Sequence, residues 1–299
     1  MNPANKYTFD NLPDEDRVSK QNLTYNQKYL KELEKNEKLL NDLCPLTTTF
    51  DVSPIQNLYF TEYAYTNINK YIMIYGLNYE FNVRYLLKHF KLENKTKTVF
   101  DDESIADKYF LEDLGDTDFS EVIFLPGSNI LTKIVDFDKI DSLMLANPDI
   151  LIKPHPITDA EDIRKLGMRY GYYRVIDPEV SGYQVMKNCE KVYFTENSEI
   201  GLRAIVEGKH VESVSRTSMN QLCAYFPIYF LLNQFPQNKK QVIQSFFSGN
   251  YGVIDVTEDI NVNAKKLERY FETSMKYREK FLPVTLPFNE DEFFGIKAG

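Results

Sequence analysis

Tryptophan is absent from this 299-residue sequence, and cysteine and histidine occur only three times each. The cysteines, Cys44, Cys189 and Cys223, are far apart and lack CxxC spacing, so neither a disulfide framework nor a cysteine metal site is predicted. Three histidines are too few for a histidine-rich metal centre. No apolar run reaches the roughly 18 residues of a membrane span, and residues 1–6 lack the apolar centre of a signal peptide. We therefore expect a cytoplasmic protein with reduced thiols and no transmembrane segment.

Tyrosine and phenylalanine, at 21 residues each, take the place of the missing tryptophan in a chain that is 43% hydrophobic. That content suffices for a sizeable core, and the length fits two domains of ordinary size. The net charge of −9 argues against a nucleic-acid surface that covers the whole protein, although it allows a local basic groove.

Short apolar runs alternate with segments of helical periodicity along most of the chain, which is typical of a parallel sheet covered by helices on both faces. The fold class is therefore predicted to be α/β. Strands are predicted at 70–76, 96–100, 120–125, 150–153, 173–176, 191–194, 210–214 and 252–256. Helices are predicted at 78–90, 132–147, 159–170, 182–189 and 199–207.

The first landmark is the motif Lys153-Pro154-His155-Pro156, which follows the apolar run Ile150-Leu151-Ile152. Both prolines remove backbone donors and hold the preceding residue extended, so the motif forms a stiff end to the strand. A histidine at that edge can donate to a phosphate oxygen or protonate a leaving group. Lys153 adds charge, and Pro156 completes the platform. The alternative is a histidine fixed by prolines for turn geometry alone.

The second landmark, Thr195-Glu196-Asn197-Ser198, lies between a predicted strand and a predicted helix. Asn197 or Ser198 would cap a helix whose free N–H groups and positive dipole end favour a phosphate. Glu196 lies beside them, and Gly201 in the first turn allows close approach of a ligand or strand. Ordinary helix capping with a packing glycine is the alternative.

A third wall is predicted at the glycine turn Gly127-Ser128-Asn129, after the strand at 120–125. Its glycine and lysine spacing does not match a phosphate-binding P-loop or a dinucleotide fingerprint. The acidic triplets at 14–16, 116–118 and 136–138 are interpreted as surface charge instead of metal ligands, so no metal site is predicted.

The ordered set of Lys153-Pro154-His155-Pro156 and Glu196-Asn197-Ser198-Glu199-Ile200-Gly201, running on to Val211, resembles bacterial capsule-polysaccharide glycosyltransferases. It is also similar to bacterial sialyltransferases and polysialyltransferases with a His-Pro motif followed by a serine motif. The match covers residues 120–215, about a third of the chain.

The resemblance implies a GT-B-like architecture, in which two Rossmann-like domains with parallel sheets face each other across a cleft. The implied division is a helical segment at 1–48, a small Rossmann-like acceptor domain at 49–119, a Rossmann-like nucleotide-sugar domain at 120–260, and a helix and tail packing back across the domains at 261–299.

The resemblance also implies metal-independent transfer of a sugar from a CMP- or UDP-linked donor to a saccharide hydroxyl, without a cofactor. His155 and Ser198 would contact the donor phosphate, and a carboxylate from the first half would deprotonate the acceptor. Asp102 is our first choice for that base. The family motif Asp/Glu-Asp-Gly lacks its glycine in Asp101-Asp102-Glu103, so Asp101, Glu80 and Glu62 stay open as alternatives.

Other functions fit the same pattern. A phage-type enzyme that glycosylates a hydroxymethylated base in DNA would need a basic cleft and an extruded base. A nucleotide-sugar 2-epimerase would convert the donor without an acceptor, and a non-catalytic protein would only bind the sugar nucleotide. The basic residues available for DNA are Lys95, Lys97, Arg203, Arg216, Lys239 and Lys240.

Overall fold

The computed structural model describes residues 63–65, 71–74, 79–94, 117–216, 225–255 and 258–281. The strands in these ranges are β1 (Tyr63–Tyr65), β2 (Tyr71–Ile74), β3 (Phe119–Phe124), β4 (Leu151–Lys153), β5 (Cys189–Phe194), β6 (His210–Ser213) and β7 (Val253–Asp255). The α-helices are α1 (Tyr79–His89), α2 (Ser128–Ile134), α3 (Phe137–Ala146), α4 (Ala160–Tyr170), α5 (Gly182–Lys187), α6 (Glu199–Val206), α7 (Phe226–Gln234), α8 (Lys239–Ser248) and α9 (Ile260–Phe281).

The described residues divide into two compact units. The second unit is discontinuous in sequence, because it contains residues on both sides of the first. Residues 117–216 form the first unit, and the described residues before and after them form the second. Residues 225–255, which were expected in the nucleotide-sugar domain, belong instead to the unit that contains α1.

The first unit is a mixed α/β structure with a four-stranded parallel sheet in the order β4-β3-β5-β6, compatible with a Rossmann-like fold. The sequences of its central strands are apolar runs, because both faces of the sheet are covered. Val122, Ile123 and Val192 are accordingly fully buried. The helices α2 to α6 alternate with the strands as the sequence pattern predicts. Among the described elements, the expected parallel sheet is found in this unit only.

The strand expected at 173–176 is reduced to a single bridge between Val175 and Ile152. A 3-10 turn at Tyr172–Arg174 precedes the bridge and turns the Arg174 side chain inward. There the guanidinium donates to the carbonyls of Ile150, Met144 and Asn147 at 2.7 to 3.0 Å. Burial lowers the pKa of Arg174. The arginine therefore ties the end of α3 to the start of β4.

The single helix expected at 132–147 is divided into α2 and α3 at Val135 and Asp136. The Asp136 carboxylate accepts a hydrogen bond from the Lys139 backbone N–H at 3.0 Å and so caps α3. Helix caps favour short acidic side chains for this reason. The acidic triplet at 136–138 thus serves a structural purpose here.

The second unit contains an antiparallel sheet in the order β1-β2-β7, so the parallel sheet expected in the first half of the chain is not found among its described strands. The segment 252–256 was expected to close the parallel sheet of the first unit. Instead Val253 pairs with Met73 and Asp255 with Tyr71. Apolar strand patterns identify a strand but not its partner, which explains the error.

The helices of the second unit pack through aromatic rings. Tyr85 of α1 meets Tyr270 and Tyr277 of α9 edge to face, with ring centroids 5.7 Å apart in each pair. Edge-to-face contacts are the favoured geometry for such rings. No helix in the described part of the chain combines the length and the apolar character needed to cross a membrane. The helical segment expected at 1–48 and the strand predicted at 96–100 lie outside the described residues.

Candidate functional site

The carboxyl edge of the parallel sheet has a point at which two neighbouring connections leave in opposite directions. Strands β3 and β5 are adjacent, yet the chain goes from β3 to β4 on one side and from β5 to β6 on the other. In open α/β sheets the loops that follow two such strands diverge and leave a crevice between them. Ligands of open α/β sheets bind at such switch points.

Two loops on the β4 side of this crevice are held together by direct contacts. The Leu125 N–H donates to the Lys153 carbonyl at 3.0 Å, and the Asp159 N–H donates to the Ser128 hydroxyl at 2.8 Å. A Cβ on Gly127 would lie 2.8 Å from Cγ1 of Ile157. Glycine at 127 thus allows the two loops to approach closely.

Lys153 lies on β4 but turns away from a phosphate position. Its side chain is 2% exposed, and the ammonium donates to the carbonyls of Pro154 at 2.8 Å and Pro178 at 3.1 Å. Two carbonyl partners compensate for the burial of the charge. These contacts tie Lys153 to the proline-containing loops, and its expected contact with a donor phosphate stays a prediction.

His155 stands at the carboxyl end of β4, on the edge predicted from its motif, and is partly exposed with Pro156 beside it. Its Nδ1 accepts a hydrogen bond from the Ile157 backbone N–H at 3.2 Å. A nitrogen that accepts carries no proton, so the neutral ring has its proton on Nε2. The turn therefore presents His155 as a hydrogen-bond donor through Nε2.

The β5–α6 loop supplies polar groups to the other side of the crevice. Ser198 caps α6, because its Oγ accepts from the Ile200 N–H at 3.3 Å. The Thr195 hydroxyl donates to Oδ1 of Asn197. Since Oδ1 is engaged, Nδ2 is the remaining donor of the amide, and no described residue accepts from it. A helix start with free N–H groups can bind an anion, and the predicted anion contact of Asn197 and the start of α6 stays a prediction.

Glu196 is the buried carboxylate of this loop, with 5% exposure. The Ser215 hydroxyl donates to Oε2 of Glu196. In return, the Glu196 backbone N–H donates to Oγ of Ser215 at 3.3 Å. Ser215 follows β6 and was missed by the sequence reasoning. A serine outside any motif, 19 residues from its partner, gives no signal in the sequence beyond its place after a strand.

Gly201 is buried in the first turn of α6. Arg203, two residues further along the same helix, is not available to a nucleic acid. The Arg203 guanidinium lies 4.5 Å from the Tyr183 ring centroid and pairs with Glu207 at 2.7 Å. The Arg216 side chain donates to the Val135 carbonyl at 3.1 Å. Two of the six basic residues considered for DNA are therefore engaged within the first unit.

The remaining predicted residues belong to α2 of the first unit, to helices of the second unit, or to the part of the chain outside the described residues. Asn129 is exposed in the first turn of α2. Glu80 is the second residue of α1, in the other unit, and its side chain is not among those described. Lys239 and Lys240 begin α8. Asp101, Asp102, Glu62, Lys95 and Lys97 lie outside the described residues.

His155 and Asn197 follow two strands, β4 and β5, of one parallel sheet. The expected catalytic carboxylates stay predictions. Within the described ranges, no group of three or more histidine, cysteine, aspartate or glutamate side chains is arranged to hold a metal ion. No family model, curated protein or solved structure matches the chain.

Proposed function

We propose that the protein is a glycosyltransferase that binds a nucleotide-sugar at the carboxyl edge of its parallel sheet and transfers the sugar to a hydroxyl acceptor. The observation that carries the proposal is the row of hydrogen-bond donors on both sides of the switch-point crevice. His155 lies on the β4 side, and Asn197 and the start of α6 lie on the β5 side. Such a row suits the phosphate of a nucleotide.

The donor groups act on the phosphate that leaves when the sugar is transferred. Negative charge develops on the phosphate oxygen as its bond to the anomeric carbon breaks. Nε2 of His155 and Nδ2 of Asn197 donate to the phosphate oxygens, and the α6 dipole adds a favourable potential. Ser198 supports this arrangement by capping the start of α6 through its Oγ.

The acceptor hydroxyl loses its proton as its oxygen attacks the anomeric carbon, so a base is required. We assign this step to a carboxylate from the first half of the chain, with Asp102 first and Asp101 or Glu80 as alternatives. The nucleotide then leaves with the electron pair of the broken bond. The substrate class of the acceptor, a saccharide, rests on the resemblance of the His-Pro and serine motifs.

A thermal-shift panel of CMP, UDP, GDP and their sugars tests the proposal. We expect at least one nucleotide to stabilise the protein, and His155→Ala and Asn197→Ala to reduce that shift. His210→Ala is the matched control, because His210 is an exposed histidine at the start of β6, the opposite end of that strand from the crevice. No response to any nucleotide would contradict the proposal.

A further inference from the structure

We propose that the protein forms a two-fold symmetric dimer through an apolar patch of the first unit, at the carboxyl ends of α3 and α4. Leu145, Met168 and Tyr173 form the centre of this patch, and they are 89%, 78% and 57% exposed. No other large hydrophobic side chain is exposed among the described residues of this unit. Exposed apolar side chains that cluster mark interaction surfaces, whereas isolated ones need no explanation. The inference does not depend on the proposed function.

The two helices lie side by side, so that their exposed apolar residues belong to one surface. Arg169 of α4 donates through Nε to Asp141 of α3 at 2.9 Å, and its guanidinium lies 5.4 Å from the Phe137 ring centroid. Leu145 follows Asp141 by about one helical turn, and Met168 directly precedes Arg169. Packed helices are about 8–10 Å apart, and one turn rises about 5.4 Å. Leu145 and Met168 are therefore within reach of one partner surface.

Tyr173 extends the patch beside the end of α3. The guanidinium of the next residue, Arg174, donates to the carbonyls of Met144 and Asn147, which brings the turn that contains Tyr173 against the last turn of α3. The Arg174 side chain is buried, whereas that of Tyr173 is exposed. Tyrosine and methionine are both enriched at the centres of protein interfaces. The composition of the patch is therefore typical of an interface.

The patch lies at the amino edge of the parallel sheet, away from the predicted ligand crevice. A helix that connects parallel strands returns from the carboxyl edge of the sheet to the amino edge. Helix α3 ends shortly before β4 begins, and α4 begins after the loop that carries His155 and ends on the opposite side. A partner can therefore cover the patch without entering the crevice.

The charges beside the patch are complementary to those of a second copy of the chain. Asp149 is exposed on the α3 side. Lys165, whose side chain is 64% exposed, lies on the α4 side about one turn before Met168. A two-fold axis through the apolar centre exchanges the two sides, so the acidic side of each copy meets the basic side of the other. Lys165 also pairs with Glu161 at 2.9 Å, but an exposed pair within one helix contributes little.

Other partners fit these charges less well. The exposed charged side chains of α3 and α4 include both signs, namely Asp138, Glu161, Arg164, Lys165 and Arg169. A nucleic acid or an anionic membrane would favour a clear excess of positive charge. Two helices side by side form a face of roughly 15 by 20 Å, which is small for a permanent interface. We therefore expect a dimer that dissociates in the micromolar range.

Sedimentation velocity of the full chain tests the dimer over roughly 1–100 µM, a range suited to a small interface. We expect the wild-type protein to shift from monomer to dimer. Leu145→Glu and Met168→Glu should each raise the dimer Kd about tenfold or more, because they place a charge at the centre of the interface. Leu87→Glu, at a 49% exposed leucine of α1, is the matched control and should leave the Kd unchanged. A wild-type protein that stays monomeric throughout would overturn the proposal.

A charge exchange tests the two-fold arrangement. Asp149→Lys places two lysines opposite each other in both halves of the interface, and Lys165→Glu likewise opposes two acidic groups. Each variant alone should therefore dimerise about tenfold more weakly or worse. In a mixture of the two variants, both halves of the heterodimer pair opposite charges, so dimers should form again.

Circular dichroism establishes that the variants fold. A dimer that persists unchanged in Leu145→Glu and Met168→Glu would place the interface on another surface and overturn the patch. A mixture of Asp149→Lys and Lys165→Glu that stays as weakly associated as either variant alone would overturn the two-fold arrangement.

Discussion

The backbone N–H of Ile157 donates to Nδ1 of His155 over 3.2 Å, so the residue two positions ahead determines which ring nitrogen carries the proton. This hydrogen bond is local and depends on the turn that the prolines of the motif enforce. It leaves the proton of the neutral imidazole on Nε2.

Replacement of His155 by glutamine and by asparagine should separate the two nitrogens. Glutamine can place an N–H near the position of Nε2, whereas asparagine can only replace the Nδ1 acceptor for Ile157. We expect His155→Gln to keep most of the affinity for nucleotide. His155→Asn should lose about 1.5–3 kcal/mol, the contribution of a hydrogen bond to a charged group. Calorimetric titration measures both, and equal losses in the two variants would contradict the donor role.

Gly127→Ala should destabilise the first unit, because the new Cβ would lie 2.8 Å from Cγ1 of Ile157. Overpacking of this kind costs about 1–3 kcal/mol. Ile157→Ala removes the obstructing atoms, so the effect of Gly127→Ala should be smaller in that background. A double-mutant cycle by urea unfolding measures the coupling. Gly182→Ala is the control, since the nearest side chain, that of Phe124, would be 3.9 Å from the new Cβ.

Arg174→Met should lower the free energy of unfolding by about 3 kcal/mol or more, because it leaves three carbonyls without their donor and each such buried group costs about 1–3 kcal/mol. The hydrophobic stem of methionine retains part of the packing. Urea denaturation measures the loss. Arg164→Met, at an exposed position of α4, should change stability by less than about 1 kcal/mol. Similar values for both variants would show that the carbonyl contacts contribute little.

Cys189 should be unreactive towards thiol reagents in the folded protein. It is buried, its Sγ contacts the Met186 carbonyl, and burial raises its pKa from 9.0 to about 12. The reactive thiolate is therefore scarce at neutral pH. In a Cys44→Ser/Cys223→Ser variant, labelling at pH 8 should proceed only as fast as the protein opens. Fast labelling without denaturant would contradict this expectation.

The same shift predicts how stability depends on pH. The folded state keeps the Cys189 proton to a higher pH than the unfolded chain does. The contribution of Cys189 to stability is therefore complete below pH 9 and is lost as the pH rises towards about 12. Cys189→Ala should flatten this part of the stability curve. Urea midpoints measured across the alkaline range test the sign.

The elements of the first unit could be predicted largely from the sequence, because buried parallel strands produce apolar runs and their helices show clear periodicity. The N-cap at Ser198 and the glycine turn at Gly127 were also identified, since both depend on local chemistry. Partners in space were not predictable in the same way. The pattern of β7 indicates a strand, but nothing local indicates that it pairs with β2.

The site shows the same difference between local and distant relationships. The sequence placed Lys153 correctly at the strand end, but the direction of its ammonium depends on the Pro178 carbonyl, 25 residues away. Likewise Glu196 was identified as a neighbour of the helix cap, whereas its contact with Ser215 depends on how β6 ends. The catalytic carboxylates Asp101, Asp102 and Glu80 stay predictions.

The interleaving of the two units along the chain has a consequence for biosynthesis. Strand β2 is made early, but its partner β7 is made only after the whole of residues 117–216. On a ribosome that synthesises from the N-terminus, the parallel sheet can be completed while the antiparallel sheet still lacks an edge. The closure of that sheet joins residues far apart in sequence, which is a slow step in folding. A chaperone would therefore be needed most while the second unit is still incomplete.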